Sequence, residues 1–323
     1  MAHENFYHET LTITCCNSAM PLSKTLIVIA GPTAIGKTDL AIKIAQHYHS
    51  EIISADSRQF YKEMHIGTAK PSTEELAAVR HHFIDSHSIT EPFTVGDFEE
   101  QALALINELF EKHDKVVVAG GSGLFIKAIT DGFDKLPKAP PELREELNQL
   151  FAQKGIETLQ QKLKELDPQY SEEVDLSNPQ RLIRALEVCI STGLPFSSFR
   201  TKETQQRDFN IIKIALNTER EKLYERINLR VDLMVKAGLI EEVKALIPYR
   251  NFNALNTVGY SELFEYFDGK ISLQQAIDAI KQNTRRFAKR QLTWFRREEG
   301  INWFEPTQFQ EIIQHIDKAS IVE

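Results

Sequence analysis

TLIVIAGPTAIGKTDLAIKIA, residues Thr25 to Ala45, runs through a strand pattern, a glycine-bearing loop and a helix pattern without a break. Leu26-Ile27-Val28-Ile29-Ala30 is short and rich in β-branched residues, which suits a strand buried on both faces. Gly31, Pro32, Thr33, Ala34, Ile35, Gly36, Lys37 and Thr38 then satisfy the P-loop pattern at every fixed position. In such a loop the glycines let backbone N–H groups turn inward around a phosphate. The following helix N-terminus adds its dipole and the lysine a cation. The Thr38 hydroxyl is the group that such loops place on Mg²⁺. A phosphate site is expected here; its ligand is left open.

Two further stretches carry the strand signature. Glu51-Ile52-Ile53-Ser54-Ala55-Asp56 ends in a carboxylate at the C-terminal edge, where open α/β sheets keep their sites. Lys115-Val116-Val117-Val118-Ala119 leads into Gly120-Gly121-Ser122-Gly123 and a helix over Leu124 to Ile129. Repeated strand-loop-helix units predict an α/β fold with a P-loop, NTPase- or kinase-like parallel sheet flanked by helices. The pattern breaks at Gly132 to Pro141, GFDKLPKAPP. Helices are predicted over Glu142 to Gln153, over Thr158 to Leu166, and from an Asn178-Pro179 start to Gly193. Strand signal returns only at Ile211 to Leu216. The expected organisation is a discontinuous core, 20–130 and 206–323, an all-helical insertion, 131–205, and a dispensable extension, 1–19, ahead of Met20. In the second half of the core, Thr218 and Glu221 read as a capping box opening a helix to Lys236. Helices follow at Ile240 to Leu246, Glu262 to Phe267 and Ser272 to Arg297, whereas His81 to Asp97 reads as loop.

The 323 residues suffice for a full core, and 42 % hydrophobic content with a mean hydropathy of -0.32 describes an ordinary soluble protein. No apolar run reaches the roughly 20 residues of a membrane span. The N-terminus lacks a basic segment followed by an apolar stretch, so a cytoplasmic protein is expected. Three cysteines, two of them the adjacent Cys15-Cys16, fit a reducing compartment and no disulfide framework.

The net charge of -8 argues mildly against nucleic acid, but the distribution of charge argues the other way. The last long helix carries Lys281, Arg285, Arg286, Lys289, Arg290, Arg296 and Arg297 with no acid among them, interleaved with Phe287, Trp294 and Phe295. Such a stripe suits a phosphate backbone. A P-loop ATP hydrolase also needs a strand ending in an acid that orders metal and water, yet the Val116 to Ala119 strand ends in glycines. Asp56 is the carboxylate delivered beside the loop, which suits a base acting on an acceptor nucleophile, worth about 10² to 10⁴ in rate. His81, His82 and His87 lack the thiolate or acidic partners of a metal site. From these residues alone a group transferase, a small-metabolite kinase and an RNA-binding protein switched by nucleotide all remain open.

GPTAIGKT, ISADSRQFY with IGTAKP, HHFID, AGGSGLF, NPQRLIRALEV, VGY and AKRQLTWFR occur in the order found in the tRNA dimethylallyltransferase family. The chain resembles that family from about Thr25 to Trp303. The resemblance implies transfer of a dimethylallyl group from dimethylallyl diphosphate to N6 of the adenosine 3′ to the anticodon, in tRNAs reading codons that begin with U. It assigns Asp56 as the base on the adenine amine, Thr38 as a Mg²⁺ and diphosphate ligand, and Arg230 as the arginine that stabilises the departing diphosphate. Arg226 lies four residues before Arg230, on the same helix face.

For the tRNA, the resemblance points to Asp56, Ser57, Arg58 and Gln59 at the target nucleotide. It points to Ser122, Arg144, Gln180, Arg181, Leu182, Ile183 and Arg184 at the anticodon stem-loop, with Gly259, Tyr260, Lys289, Arg290 and Arg296 completing the RNA face. A monomer is expected. The chain departs from the family pattern at Asn256, where arginine is frequent, at Ile35, at Ser122 in place of threonine, and at His65 in place of aspartate.

Overall fold

The protein is described by a computed structural model covering residues 24–134, 136–201 and 204–320. Cys15, Cys16, Met20 and the 1–19 extension lie outside the described residues. In chain order the elements are β1 (Thr25–Ala30), α1 (Lys37–His47), β2 (Ile52–Ser54), α2 (Thr73–Ala78), β3 (His81–His82), α3 (Val95–Phe110), β4 (Lys115–Gly120) and α4 (Gly123–Thr130). A helical block follows, α5 (Pro141–Lys154), α6 (Ile156–Leu166), α7 (Pro168–Glu173) and α8 (Pro179–Thr192). The chain then forms β5 (Asn210–Leu216), α9 (Arg220–Lys236), α10 (Leu239–Ala245), α11 (Ser261–Phe267), α12 (Leu273–Phe295), β6 (Ile301–Phe304) and α13 (Phe309–Ser320).

The strands form one parallel sheet in the order β3-β2-β4-β1-β5-β6. β1 lies between β4 and β5 and is buried along its whole length, as its unbroken apolar run requires. Because side chains alternate along a strand, β1 feeds two cores. Ile27 and Ile29 pack with Leu40 and Ile44 of α1 and with Ile312 and Ile316 of α13, whereas Leu26, Val28 and Ala30 pack with Phe98 and Ile106 of α3 and Ile129 of α4.

Two further cores lie off the sheet. Val231, Leu239, Val243, Leu263 and Ile280 knit α9 to α12 together around Tyr260. The helical block has its own interior, built on Leu147, Leu159, Leu163, Leu182, Ile183 and Leu186.

Several local readings need correction. α9 starts at Arg220 with Glu219 at its N-cap and no side-chain cap, so the Thr218/Glu221 box does not form. The capped C-terminal helix is α12, where Ser272 and Gln275 exchange both bonds of a capping box. β3 falls inside the stretch read as loop; at two residues it is too short to carry a period. β6 was not predicted either, because a four-residue edge strand with exposed Asn302 and Trp303 shows neither a buried run nor alternation. Among the described residues no helix is long and apolar enough to cross a membrane.

Candidate active site

The P-loop leaves the C-terminal end of β1 and closes into α1, so its amides and the helix N-terminus converge beside the loops that follow β2 and β4. Ala34 adopts φ 65°, a left-handed conformation that costs a non-glycine residue about 1–3 kcal/mol. It is held there by burial, and Ile35 beside it is fully enclosed, which explains how the loop carries a bulky residue. The Lys37 ammonium donates to the Pro32 carbonyl at 2.7 Å, folding back over the loop. Part of the Lys37 side chain meets solvent, but its ammonium is ringed by protein. Burial pulls its pKa down to about 7, with Asp56 opposing the shift and Arg230 adding to it. The Thr38 hydroxyl has no hydrogen-bond partner among the described residues and sits in the first turn of α1.

Asp56 is reached two residues beyond β2, partly exposed at the mouth of the loop. Its Oδ1 accepts the Arg58 N–H at 3.0 Å, which fixes the carboxylate against its own turn. Ser122, after β4, receives the Ser57 N–H at 3.0 Å and donates to the Ser57 hydroxyl at 3.1 Å, tying the two strand-end loops together. The threonine-to-serine departure at Ser122 therefore keeps the hydroxyl that makes this link.

α9 supplies the arginines. A Cβ placed on Gly36 would stand 3.3 Å from the Arg226 guanidinium, so Arg226 reaches the loop itself. Burial holds the Arg230 pKa below its ordinary value, as does Arg226, while Glu75 and Asp56 act in the opposite direction. Asp56 and Arg230 both act on Lys37, and Asp56 on Arg230, so three charges from separate parts of the chain lie within one another's electrostatic reach.

α12 contributes a residue that the sequence reading missed. Gln291, 7 % exposed, accepts the Thr33 N–H through Oε1 at 2.9 Å and donates through Nε2 to the Gly121 carbonyl at 2.9 Å. The approach is so close that a Cβ on Gly121 would lie 2.3 Å from Nε2, which is why that position has no side chain. A polar residue on the stripe of Ile280, Ala288 and Phe295 was the available signal, since buried amides require partners.

Trp294 and Phe295 were expected among the RNA-facing aromatics. Phe295 instead lies in the core between sheet and helices, whereas Trp294 is exposed, with its Nε1 within 2.2 Å of where a Cβ on Gly123 would be. Of the seven cations, Lys281 pairs with Asp232 at 2.6 Å and Arg285 bonds Asn228 at 2.6 Å. Arg286, Lys289, Arg290, Arg296 and Arg297 are exposed and, among the described residues, form no ion pair.

The residues assigned to tRNA separate into two groups. Gln180 and Arg181 are exposed at the start of α8, and Arg144 and Arg184 flank the buried Glu187 carboxylate at 3.6 and 3.3 Å. Leu182 and Ile183 are 0 % exposed in the interior of the helical block, so these two are packing residues and not RNA contacts. Tyr260 is equally buried, its hydroxyl bonded to Glu242 at 2.6 Å, and the Gly259 N–H donates to Glu262 at 2.8 Å. Arg58 and Gln59 also turn inward: Arg58 bonds the Ala254 carbonyl at 3.0 Å, and Gln59 bonds Ser54 and the Thr68 and Ala69 carbonyls. The three histidines have separate occupations, His81 on the Val79 carbonyl, His82 on Glu51 and His87 stacked on Phe93.

The IPP transferase family model matches residues 59–298. The chain belongs to the IPP transferase family. It is 59 % identical over 284 residues to the tRNA dimethylallyltransferase of Christiangramia forsetii, covering 88 % of this chain and 94 % of that protein. It is 53 % identical over 300 residues to that of Flavobacterium johnsoniae, covering 91 % and 97 %. The crystal structure of the tRNA isopentenylpyrophosphate transferase of Bacillus halodurans superposes with a TM-score of 0.68 at 38 % identity, covering 92 % of this chain and 97 % of that one. A eukaryotic dimethylallyltransferase acting on tRNA shares the fold at a TM-score of 0.75 and 24 % identity. In this IPP transferase family member Arg226 of α9 reaches Gly36 of the P-loop, and Gln291 of α12 braces the same loop at Thr33.

Proposed function

We propose that this protein transfers a dimethylallyl group from dimethylallyl diphosphate to N6 of the adenosine 3′ to the anticodon, in tRNAs reading codons that begin with U. The observation that carries the mechanism is the phosphate loop with Arg226 of α9 against Gly36, and with Lys37, Asp56 and Arg230 in one another's electrostatic reach, beside a strand, β4, that ends in glycines where a hydrolase needs an acid. The adenine amine attacks the allylic carbon, the C–O bond breaks with its electron pair going to the diphosphate, and Asp56 takes the amine proton. In this reading the loop amides, Lys37, Arg226 and Arg230 receive the charge that develops on the leaving group; preorganised donors of this kind are worth roughly 3 kcal/mol each. The Thr38 hydroxyl, on a partly exposed residue and without a protein partner among the described residues, would be the group that holds a Mg²⁺ ion here. When bound, that ion neutralises diphosphate charge.

The adenine leaves its stack to reach Asp56, as bases do in other modifying enzymes. Gln180, Arg181, Arg144 and Arg184 present the helical block, an insertion domain with its own core, to the anticodon stem-loop. Lys289, Arg290 and Arg296, all exposed, bind its phosphates. The enzyme acts as a monomer in the cytoplasm. The relatives' names support the transferase and not a P-loop kinase. Incubation with labelled dimethylallyl diphosphate and total tRNA should release diphosphate and leave label on the nucleoside 3′ to the anticodon. ADP formed from ATP with no labelled RNA would sink this reading.

A further inference from the structure

Glu242, on α10, is bonded to four donors at once. Its Oε2 accepts the N–H groups of His65 at 3.1 Å and Ile66 at 2.7 Å; its Oε1 accepts the N–H of Gly67 at 3.0 Å and the hydroxyl of Tyr260 at 2.6 Å. Tyr260 also lies flat against the same turn, since a Cβ on Gly67 would be 2.5 Å from its ring. The turn is strained two residues on, where Ala69 has φ 51°. From it the Thr68 and Ala69 carbonyls accept the Gln59 amide at 3.4 and 3.1 Å, and the Gln59 N–H donates to the Asp56 carbonyl at 3.2 Å.

We infer that Glu242 is a positioning residue for the Asp56 carboxylate, acting through residues 65–69 and Gln59. The inference rests on Asp56 being the base. A carboxylate accepting three consecutive amides orders a turn that has no regular secondary structure to hold it. Gln59 passes that order on through two different groups: its side-chain amide grips the turn, and its backbone N–H holds the Asp56 carbonyl, which sets the backbone from which the Asp56 carboxylate projects. Neither Glu242 nor Tyr260 touches the phosphate loop, so the effect falls on proton transfer and not on the diphosphate.

The test compares Glu242→Gln, which keeps the volume but presents one acceptor oxygen in place of two, and Tyr260→Phe, which keeps the ring over Gly67 and removes one donor. Each is made in the full chain, with and without Asp56→Asn, and assayed with dimethylallyl diphosphate and an anticodon stem-loop RNA. Glu242→Gln should lower kcat about 10- to 100-fold, the scale of a misplaced catalytic group. The KM for dimethylallyl diphosphate should stay within about twofold, and Tyr260→Phe should follow with a smaller loss. In the Asp56→Asn background both substitutions should cost little more, because a residue acting through another is not additive with it. Full multiplicative losses in that background, or wild-type kcat in folded variants, overturn the inference. Asp56→Asn retaining wild-type kcat overturns the base assignment instead. If Glu242→Gln does not fold, Tyr260→Phe carries the same cycle with the same outcomes.

Discussion

The side-chain oxygen of Gln291 accepts the Thr33 N–H at 2.9 Å, joining the phosphate loop to a helix 258 positions later in the chain. Its amide nitrogen closes the link on Gly121, so the loops after β1 and β4 are braced by one side chain. Removing it leaves a buried donor and a buried acceptor without partners, each a loss of about 1–3 kcal/mol. Gln291→Ala should raise the KM for dimethylallyl diphosphate about tenfold or more, while stem-loop RNA affinity stays within about twofold. Steady-state kinetics and a filter-binding titration check both halves.

Lys37 gives the free enzyme a pH signature. With its pKa pulled down to about 7, the amine is largely neutral above that pH until a diphosphate restores the charge. Binding therefore takes up a proton, and diphosphate affinity should fall as pH rises from about 7 towards 9. The same depression means that the folded state binds fewer protons than the unfolded one between about 7 and the ordinary lysine value, so this group's contribution to stability grows with pH across that window. Calorimetry in buffers of different ionisation enthalpy measures the uptake. Lys37→Met should abolish the part of the pH dependence that does not belong to diphosphate itself.

Arg226 and Arg230 differ in depth, Arg230 being the more enclosed. Arg230→Ala should lower turnover about 10²- to 10³-fold, the scale of a lost charge-stabilising donor, with RNA binding little changed. Arg226→Ala, at the exposed rim of the loop, should cost less. A larger effect of Arg230→Ala on RNA affinity than on turnover would contradict its place at the leaving group.

The exposed cations along α12 and at its C-cap predict a salt law. Stem-loop affinity should fall steeply with ionic strength, and each of Lys289→Ala, Arg290→Ala and Arg296→Ala should reduce the logarithmic salt slope by about 0.7 to 1. Parallel slopes for all variants would remove this face from the RNA path.

Within the run QRLIR the structure separates stability from recognition. Leu182→Ala removes a side chain with 0 % exposure and should cost about 2–5 kcal/mol in unfolding of the helical block. Gln180→Ala, on the exposed end of the same helix, should change stability by less than about 0.5 kcal/mol and express itself in RNA affinity. Denaturant melts read the first and binding the second.

Local order decided what the sequence alone could show. The β1, P-loop and α1 succession needs only neighbouring residues: an apolar run for the sheet centre, glycines for the inward turn, a lysine and a hydroxyl at fixed spacing. Residues 25 to 47 therefore read directly as the element that forms. The parallel sheet was legible for the same reason, because its central strands are buried runs, while the edges β3 and β6, short and partly exposed, were not. Motif order placed Asp56, Arg230 and Thr38, but motif membership could not say which way each side chain points. Leu182, Ile183 and Tyr260 share runs with plausible RNA contacts and are nonetheless interior, since a helix or a turn within one motif presents both a wet and a dry side. Only the packing of α9 to α12 against the sheet turned Gln291 onto Thr33, brought Arg226 to Gly36 and set Glu242 under the turn that carries Gln59. Those contacts join residues far apart in the chain, and the free energy that selects them comes from burying whole helix faces, which no short pattern of residues records.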